Sequence, residues 1–306
     1  MTAPEHVAPP DTRLSSARRL LGVDAARGVA LIGMMSVHIN PAVTPAGETT
    51  TSYLIASGRS AALFAVLAGV GLALASGGPT PRRGRPLSAA MAATLARALV
   101  LGLVGLLLGA FESGLAIILV YYGLLFVVAV PFLGLGPRVL FPLAATAAVV
   151  APAISQWIRP SLPASSYGNP VVESLADPIG LLTELTVTGY YPVLTWSAYI
   201  LAGLALGRLI LGEFRTAVWV MVGGAVLAAV AWAGSWLLLH PGGGLEAIEV
   251  AGAGDSPIAG RPLDVALTTS FYGTTPTTSW WWLSVVAPHS GTSFDLLHTI
   301  GTACFV

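Results

Sequence analysis

The sequence predicts an all-α, polytopic bundle of membrane-spanning helices. Three observations carry that prediction: charge is scarce, long apolar runs recur, and arginines gather between alternate runs. Only 9% of the 306 residues are charged and 55% are hydrophobic, with a mean hydropathy of +0.80. A soluble domain is about a quarter charged. This inventory cannot build a water-facing surface, so most of the surface must meet lipid.

About 20 apolar residues cross the ~30 Å hydrocarbon layer. Runs of that kind lie at 21–39, 59–77, 88–110, 114–133, 139–157, 191–211, 216–238 and 291–306, giving about eight helices. Residues 1–19 form a polar, Pro- and Arg-rich tail, expected in the cytoplasm, and 20–306 form one membrane domain. The first run holds Asp24 and Arg27, and no good small-x-small cleavage site follows. It is therefore expected to stay as an anchor rather than a cleaved signal. The third run carries Arg97, which we expect to be buried in the bundle. The last run stops at Val306 without a charged or aromatic anchor, which suggests a chain truncated inside or just after a helix, with further helices in the natural protein.

All fourteen basic residues counted as Lys or Arg are arginines, and their placement sets the orientation. With the N-terminus cytoplasmic, inner segments hold Arg13, Arg18, Arg19, Arg82, Arg83, Arg85, Arg138, Arg208 and Arg215, and outer segments hold Arg59, Arg159 and Arg261. The long segments 158–190 and 239–290 then lie outside, and the location expected is the cell membrane. Glycines four apart, Gly105 with Gly109 and Gly203 with Gly207, let helices approach closely. Zero net charge removes any case for a basic nucleic-acid-binding face. The single cysteine, Cys304, supports neither a disulfide framework nor a Cys-based metal site. No Walker or dinucleotide glycine pattern occurs.

Ionisable groups within a span cost several kcal/mol and are the first place to look for function. Asp24 and Arg27 are three apart on the first helix and can pair. His38 lies eleven residues beyond Arg27, close to three whole turns, so all three share one stripe, with Arg27 and His38 about 16 Å apart along the axis. Singly, they read as a structural ion pair and an interfacial cap; as a stripe, they should face a cavity. Arg59 and Glu112 near outer helix ends could touch an acceptor but read first as markers of the interface, whereas Arg97 suits a substrate or a structural partner equally. Trp280–Trp282 fit an interfacial belt. Thr292 with Asp295 reads as a helix N-cap. His289, Asp295 and His298 fall at the same face as His38; they read as structural caps, as an acceptor pocket or, at a spacing matching no familiar pattern, as a metal site.

The stretch Arg19-Leu20-Leu21-Gly22-Val23-Asp24-Ala25-Ala26-Arg27-Gly28-Val29-Ala30 resembles the opening signature of the transmembrane acyltransferase superfamily. Within it the chain is similar to bacterial relatives of heparan-α-glucosaminide N-acetyltransferase. Gly58–Gly69, Tyr121-Tyr122-Gly123-Leu124-Leu125 and Gly189-Tyr190-Tyr191-Pro192 with Trp196 and Tyr199 follow in matching order. The resemblance implies transfer of an acyl group, typically acetyl, from cytoplasmic acetyl-CoA or another acyl-CoA to a carbohydrate or glycolipid acceptor across the membrane. The acyl-CoA is a substrate, and no bound cofactor or metal is expected. A related branch of the superfamily has a functional Arg and His that map onto Arg27 and His38. In the heparan branch the His38 position is asparagine and the histidine lies in the following loop, whereas residues 39–58 here contain none. Neutral imidazole suits removal of an acceptor proton near pH 7, so His38 is the candidate base, or nucleophile in an acyl-enzyme route. Arg27 suits a CoA phosphate or developing negative charge, oriented by Asp24. A transporter using the polar stripe, or a non-catalytic scaffold, are the alternatives; the sequence leaves the oligomeric state open.

Overall fold

The computed structural model describes residues 21–111, 114–163, 165–269 and 271–306. Among them no strand forms. The helices are α1 (Leu21–Ile39), α2 (Thr51–Ala56), α3 (Arg59–Ala75), α4 (Arg85–Gly109), α5 (Leu119–Ala129), α6 (Pro137–Ile158), α7 (Pro178–Thr183), α8 (Val193–Gly207), α9 (Phe214–Leu239), α10 (Gly244–Ala251), α11 (Leu263–Thr268) and α12 (Ser293–Phe305). The eight apolar runs correspond to α1, α3, α4, α5, α6, α8, α9 and α12.

Four continuous helical stretches are long and apolar enough to cross a membrane by themselves: Thr51–Ala75, Arg85–Gly109, Pro137–Ser161 and Phe214–Leu239. α1, α5, α8 and α12 have 19, 11, 15 and 13 residues. The shorter ones lean on neighbours: α8 is the central post, buried along nearly its whole length between α3 and α6. α12 packs on α9 and α3, α1 on α3, and α4 on α5.

Glycine sets the closest of these approaches. A Cβ on Gly203 would stand 2.0 Å from the Val66 carbonyl oxygen, and one on Gly69 2.4 Å from that of Ile200. Only hydrogen fits where α3 and α8 cross, so larger residues there would separate the backbones and forfeit their packing. Gly105 and Gly109 are equally tight, against Val120 and Pro170.

The bundle has two ends, called here the Arg208 end and the His38 end. At the Arg208 end connections are short. At the His38 end, residues 240–292 fold over the bundle with a small core of their own, which includes Ile248, Phe271, Trp282 and Val285. Short elements such as α10 and α11, and the single π-helical turn Glu184–Thr188, are invisible to a search for apolar runs.

Candidate active site at the His38 end

α1 ends at Ile39 and leaves His38 exposed in its last turn. The covering segment reaches it from far along the chain. Phe271 N–H donates to the Pro288 carbonyl at 2.9 Å and Gly273 N–H to that of His289 at 3.0 Å. Ser57, in the break between α2 and α3, donates its hydroxyl to the Thr269 carbonyl at 3.0 Å. Gly58, at φ +71°, leaves room for this strap: a Cβ there would lie 3.0 Å from that of Pro288. His289 itself takes the left-handed conformation at φ 56°, unfavourable for a non-glycine residue and held only when its surroundings fix it. Those surroundings are Trp196, on which its ring stacks 6.4 Å away at 9°, and Tyr191, edge-on at 5.9 Å. Burial, and then the neighbouring His38, pull the His289 pKa from 6.5 to about 4. His289 is therefore a neutral imidazole at pH 7.

Beside this pair lies a second cluster. Arg59 opens α3 and donates from Nη1 to the Leu54 carbonyl at 2.6 Å. Its Nη2 stands 3.2 Å from His298 Nε2, while His298 Nδ1 is 3.1 Å from the Ala228 carbonyl. The carbonyl accepts from Nδ1–H, so Nε2 carries the lone pair facing Arg59. Asp295 is 2% exposed. Its Oδ2 accepts from Gly291 N–H at 3.0 Å, and its own N–H donates to the capping Thr292 hydroxyl at 3.1 Å. Its Oδ1 is buried without a hydrogen bond. Asp295 and His298 do not pair with each other, and among the described residues no three His, Cys, Asp or Glu converge as a metal set.

The Asp24–Arg27 pair forms at 3.2 Å, but with both side chains 44% exposed. The stripe expected to face a cavity runs instead along the flank of α1, whose buried face is Ala26 and Ala30. Gly71 of α3 makes room for Arg27, whose Nη2 would sit 3.2 Å from a Cβ there. At about 16 Å from His38 along the axis, Arg27 and His38 do not touch one reacting atom. Arg97 corrects another expectation: it lies on the exposed face of α4, not inside the bundle. Glu112 lies outside the described residues, as does the N-terminal tail.

Two cavities lie against the bundle near Ala303 and Val306. One of about 720 Å³ at the Arg208 end is bordered by Val23, Ala26, Val70 and Met221. The other, about 550 Å³, is bordered by Ile32, Ser36, Arg59 and Ser60. Both are mainly apolar and both reach Ala303 and Val306. A polar cavity of about 310 Å³ under the covering segments adds Arg159, Tyr167, Thr188, Asp255 and Thr275. Arg159 is tied to Ser155, Gln156 and the Thr275 carbonyl. Nearby, burial raises the pKa of Glu184, whose carboxylate accepts from Ser166. Sequence reading missed this cleft; a hydroxyl-rich run, Thr274-Thr275-Pro276-Thr277-Thr278, was its one signal.

An all-helical membrane protein with histidines and an arginine gathered at one end and mainly apolar cavities along the bundle is the class these features define. Its family follows from the sequence comparison: residues 19–240 match the heparan-alpha-glucosaminide N-acetyltransferase catalytic family, and the chain belongs to it. That family makes it, in general terms, a membrane acetyltransferase. No curated protein and no solved structure matches the chain. The match contains Asp24, Arg27, His38, Arg59 and Arg97 and stops before His289, Asp295 and His298.

Proposed function

We propose that the chain moves acetyl from cytoplasmic acetyl-CoA to an amine or hydroxyl of a carbohydrate or glycolipid acceptor at the outer face of a cell membrane. The Arg208 end is then cytoplasmic. The observation that carries the reading is the family match over residues 19–240, with His38 exposed in the last turn of α1, two residues beyond Ser36, which borders the same cavity as Arg59.

The phosphates of CoA meet Arg27, oriented by Asp24, and the pantetheine arm lies along the apolar cavities. His38 takes the proton as the acceptor's nitrogen or oxygen attacks the thioester carbonyl. The C–S bond breaks, and the CoA thiolate takes up the released proton. Arg59, held by Leu54 and His298, offers positive charge to the developing oxyanion, where such charge is worth most in a dry site. His289 holds His38 and the acceptor in place without adding a competing charge. Arg97, on an exposed face of α4, takes no part. The predominantly apolar lining of the two cavities favours this reading over transport of a polar solute.

Purified protein in vesicles, given acetyl-CoA and a panel of amino-sugar and polyol glycolipids, should release free CoA and acetylate at least one acceptor. Absence of both products with every acceptor would leave the family fold without this activity.

A further inference from the structure

The polar cleft under the covering segments is one lobe of a longer groove. A second cavity of about 360 Å³, bordered by Asp177 and Glu184, shares Pro163, Ser165 and Thr188 with the first lobe of about 310 Å³. Each lobe is at the lower end of the volumes of small-molecule sites, about 300–1,000 Å³, so the two together suit linked small units rather than one large group. Thr188 is 7% exposed, and among the described residues its hydroxyl has no hydrogen-bond partner, nor do those of Thr274 and Thr277 along the wall. Such hydroxyls both donate and accept. Tyr167 adds an aromatic ring, fixed by an edge-on contact with Tyr272 at 6.0 Å and by the Tyr190 hydroxyl, which donates to the Tyr167 carbonyl. The charges of the groove are of one sign. Asp177, Glu184 and Asp255 border it, whereas all three guanidinium nitrogens of Arg159 already donate, to Ser155, the Thr275 carbonyl and Gln156. Arg261 is likewise engaged with the hydroxyl and ring of Tyr272.

We propose that this groove receives a glycan of at least two sugar units and selects chains without sulfate, phosphate or carboxylate groups. The inference rests on the carbohydrate acceptor of the proposed activity and adds its length and its charge. A sugar ring combines an apolar C–H face with a rim of hydroxyls, and the groove offers the complement: a tyrosine ring, free threonine hydroxyls and carboxylates that accept from O–H. An anionic chain would meet three carboxylates and an arginine whose nitrogens are engaged, and that repulsion is a means of rejecting it. The groove also adjoins the candidate active site. Thr274 follows Gly273, whose N–H donates to the His289 carbonyl at 3.0 Å, so the wall begins one residue from the strap that carries His289. The rings of Tyr167, Tyr272, Tyr190, Tyr191 and His289 succeed one another at 6.0, 6.2, 6.4 and 5.9 Å, which ties the groove to that histidine by packing.

The test is sugar binding by the full chain in lipid nanodiscs without acetyl-CoA, followed by saturation-transfer NMR titration. The probes are maltose, cellobiose and di-N-acetylchitobiose, the monosaccharides glucose and N-acetylglucosamine, and a sulfated form of each disaccharide. At least one neutral disaccharide should bind about tenfold more tightly than its monosaccharide and about tenfold more tightly than its sulfated form. Thr188→Val should weaken that binding about tenfold. Asp255→Arg, at an exposed position, should bring the sulfated form level with the neutral one, and it keeps the test open if Thr188→Val lowers the melting temperature. No saturable binding by any disaccharide, equal binding of disaccharide and monosaccharide, or a sulfated form that binds as well as the neutral one to the wild type overturns the proposal. Acetylation of an acceptor by protein that binds no disaccharide would overturn the groove and leave the proposed activity standing.

Discussion

The two ends of the bundle handle buried polar groups in opposite ways. At the Arg208 end a single guanidinium, 2% exposed, donates to the carbonyls of Leu135, Ala73, Gly78 and Leu133 and to the Ser76 hydroxyl. It stitches the ends of α3, α5 and α8 together, and every capacity it has is used. At the His38 end, Asp295 keeps one oxygen without a hydrogen bond, His289 sits in a strained conformation, and His38 is open to whatever enters. A satisfied network holds a fold, whereas groups held in place but left unsatisfied have capacity for a substrate. The contrast explains why both ends hold arginines yet only one reads as a reaction site.

The sharpest way to break that contrast is His38→Ala. Loss of a general base should cost about 10²- to 10⁴-fold in acetyl transfer with the melting temperature unchanged, measured as CoA release alongside thermal denaturation in detergent. Activity within about twofold of wild type would move the chemistry away from α1. Arg208→Met tests the other half. Removing one partner from a buried network leaves several carbonyls unpaired and should cost about 3–5 kcal/mol of stability, read as a lower melting temperature. Activity per folded molecule should be retained, and a selective loss of activity would place function at both ends.

How much of this was legible follows from what each signal depends on. The eight principal helices were readable because apolar length is a local property of the chain. The Asp24–Arg27 pair was readable from its three-residue spacing. Arg59 against His298, 239 positions apart, and the strap that brings His289 to His38 depend on tertiary folding, which spacing does not encode. Arg97 was misread for a physical reason: in a membrane both core and lipid are apolar, so an apolar run does not say which face is buried. Arg208 served only as an orientation marker in the sequence, and its role as a five-bond staple needed the carbonyls of two distant loops.

His289 sharpens the comparison through pH. Its ordinary pKa is 6.5 and its folded value is about 4. Between those values the unfolded chain binds a proton that the folded chain refuses, so stability rises with pH across the window and is lost as pH falls through it. Melting temperature should therefore decline from pH 6.5 towards 4, and His289→Gln, which cannot take the proton, should flatten that slope. A parallel decline in the variant would assign the slope to other groups.

The smallest effect is expected at the most conspicuous motif. Asp24 and Arg27 lie three apart at the opening of the family signature, yet each is 44% exposed, and exposed pairs contribute about 0–1 kcal/mol. Asp24→Asn should thus shift the melting temperature little. If Arg27 receives CoA phosphate, the variant should instead raise the acetyl-CoA KM severalfold with kcat nearly unchanged, because an interaction made equally in ground and transition state acts on binding alone. A fall in kcat at constant KM would mean that the Arg208 end reaches the chemistry, and the division of labour between the two ends would fail.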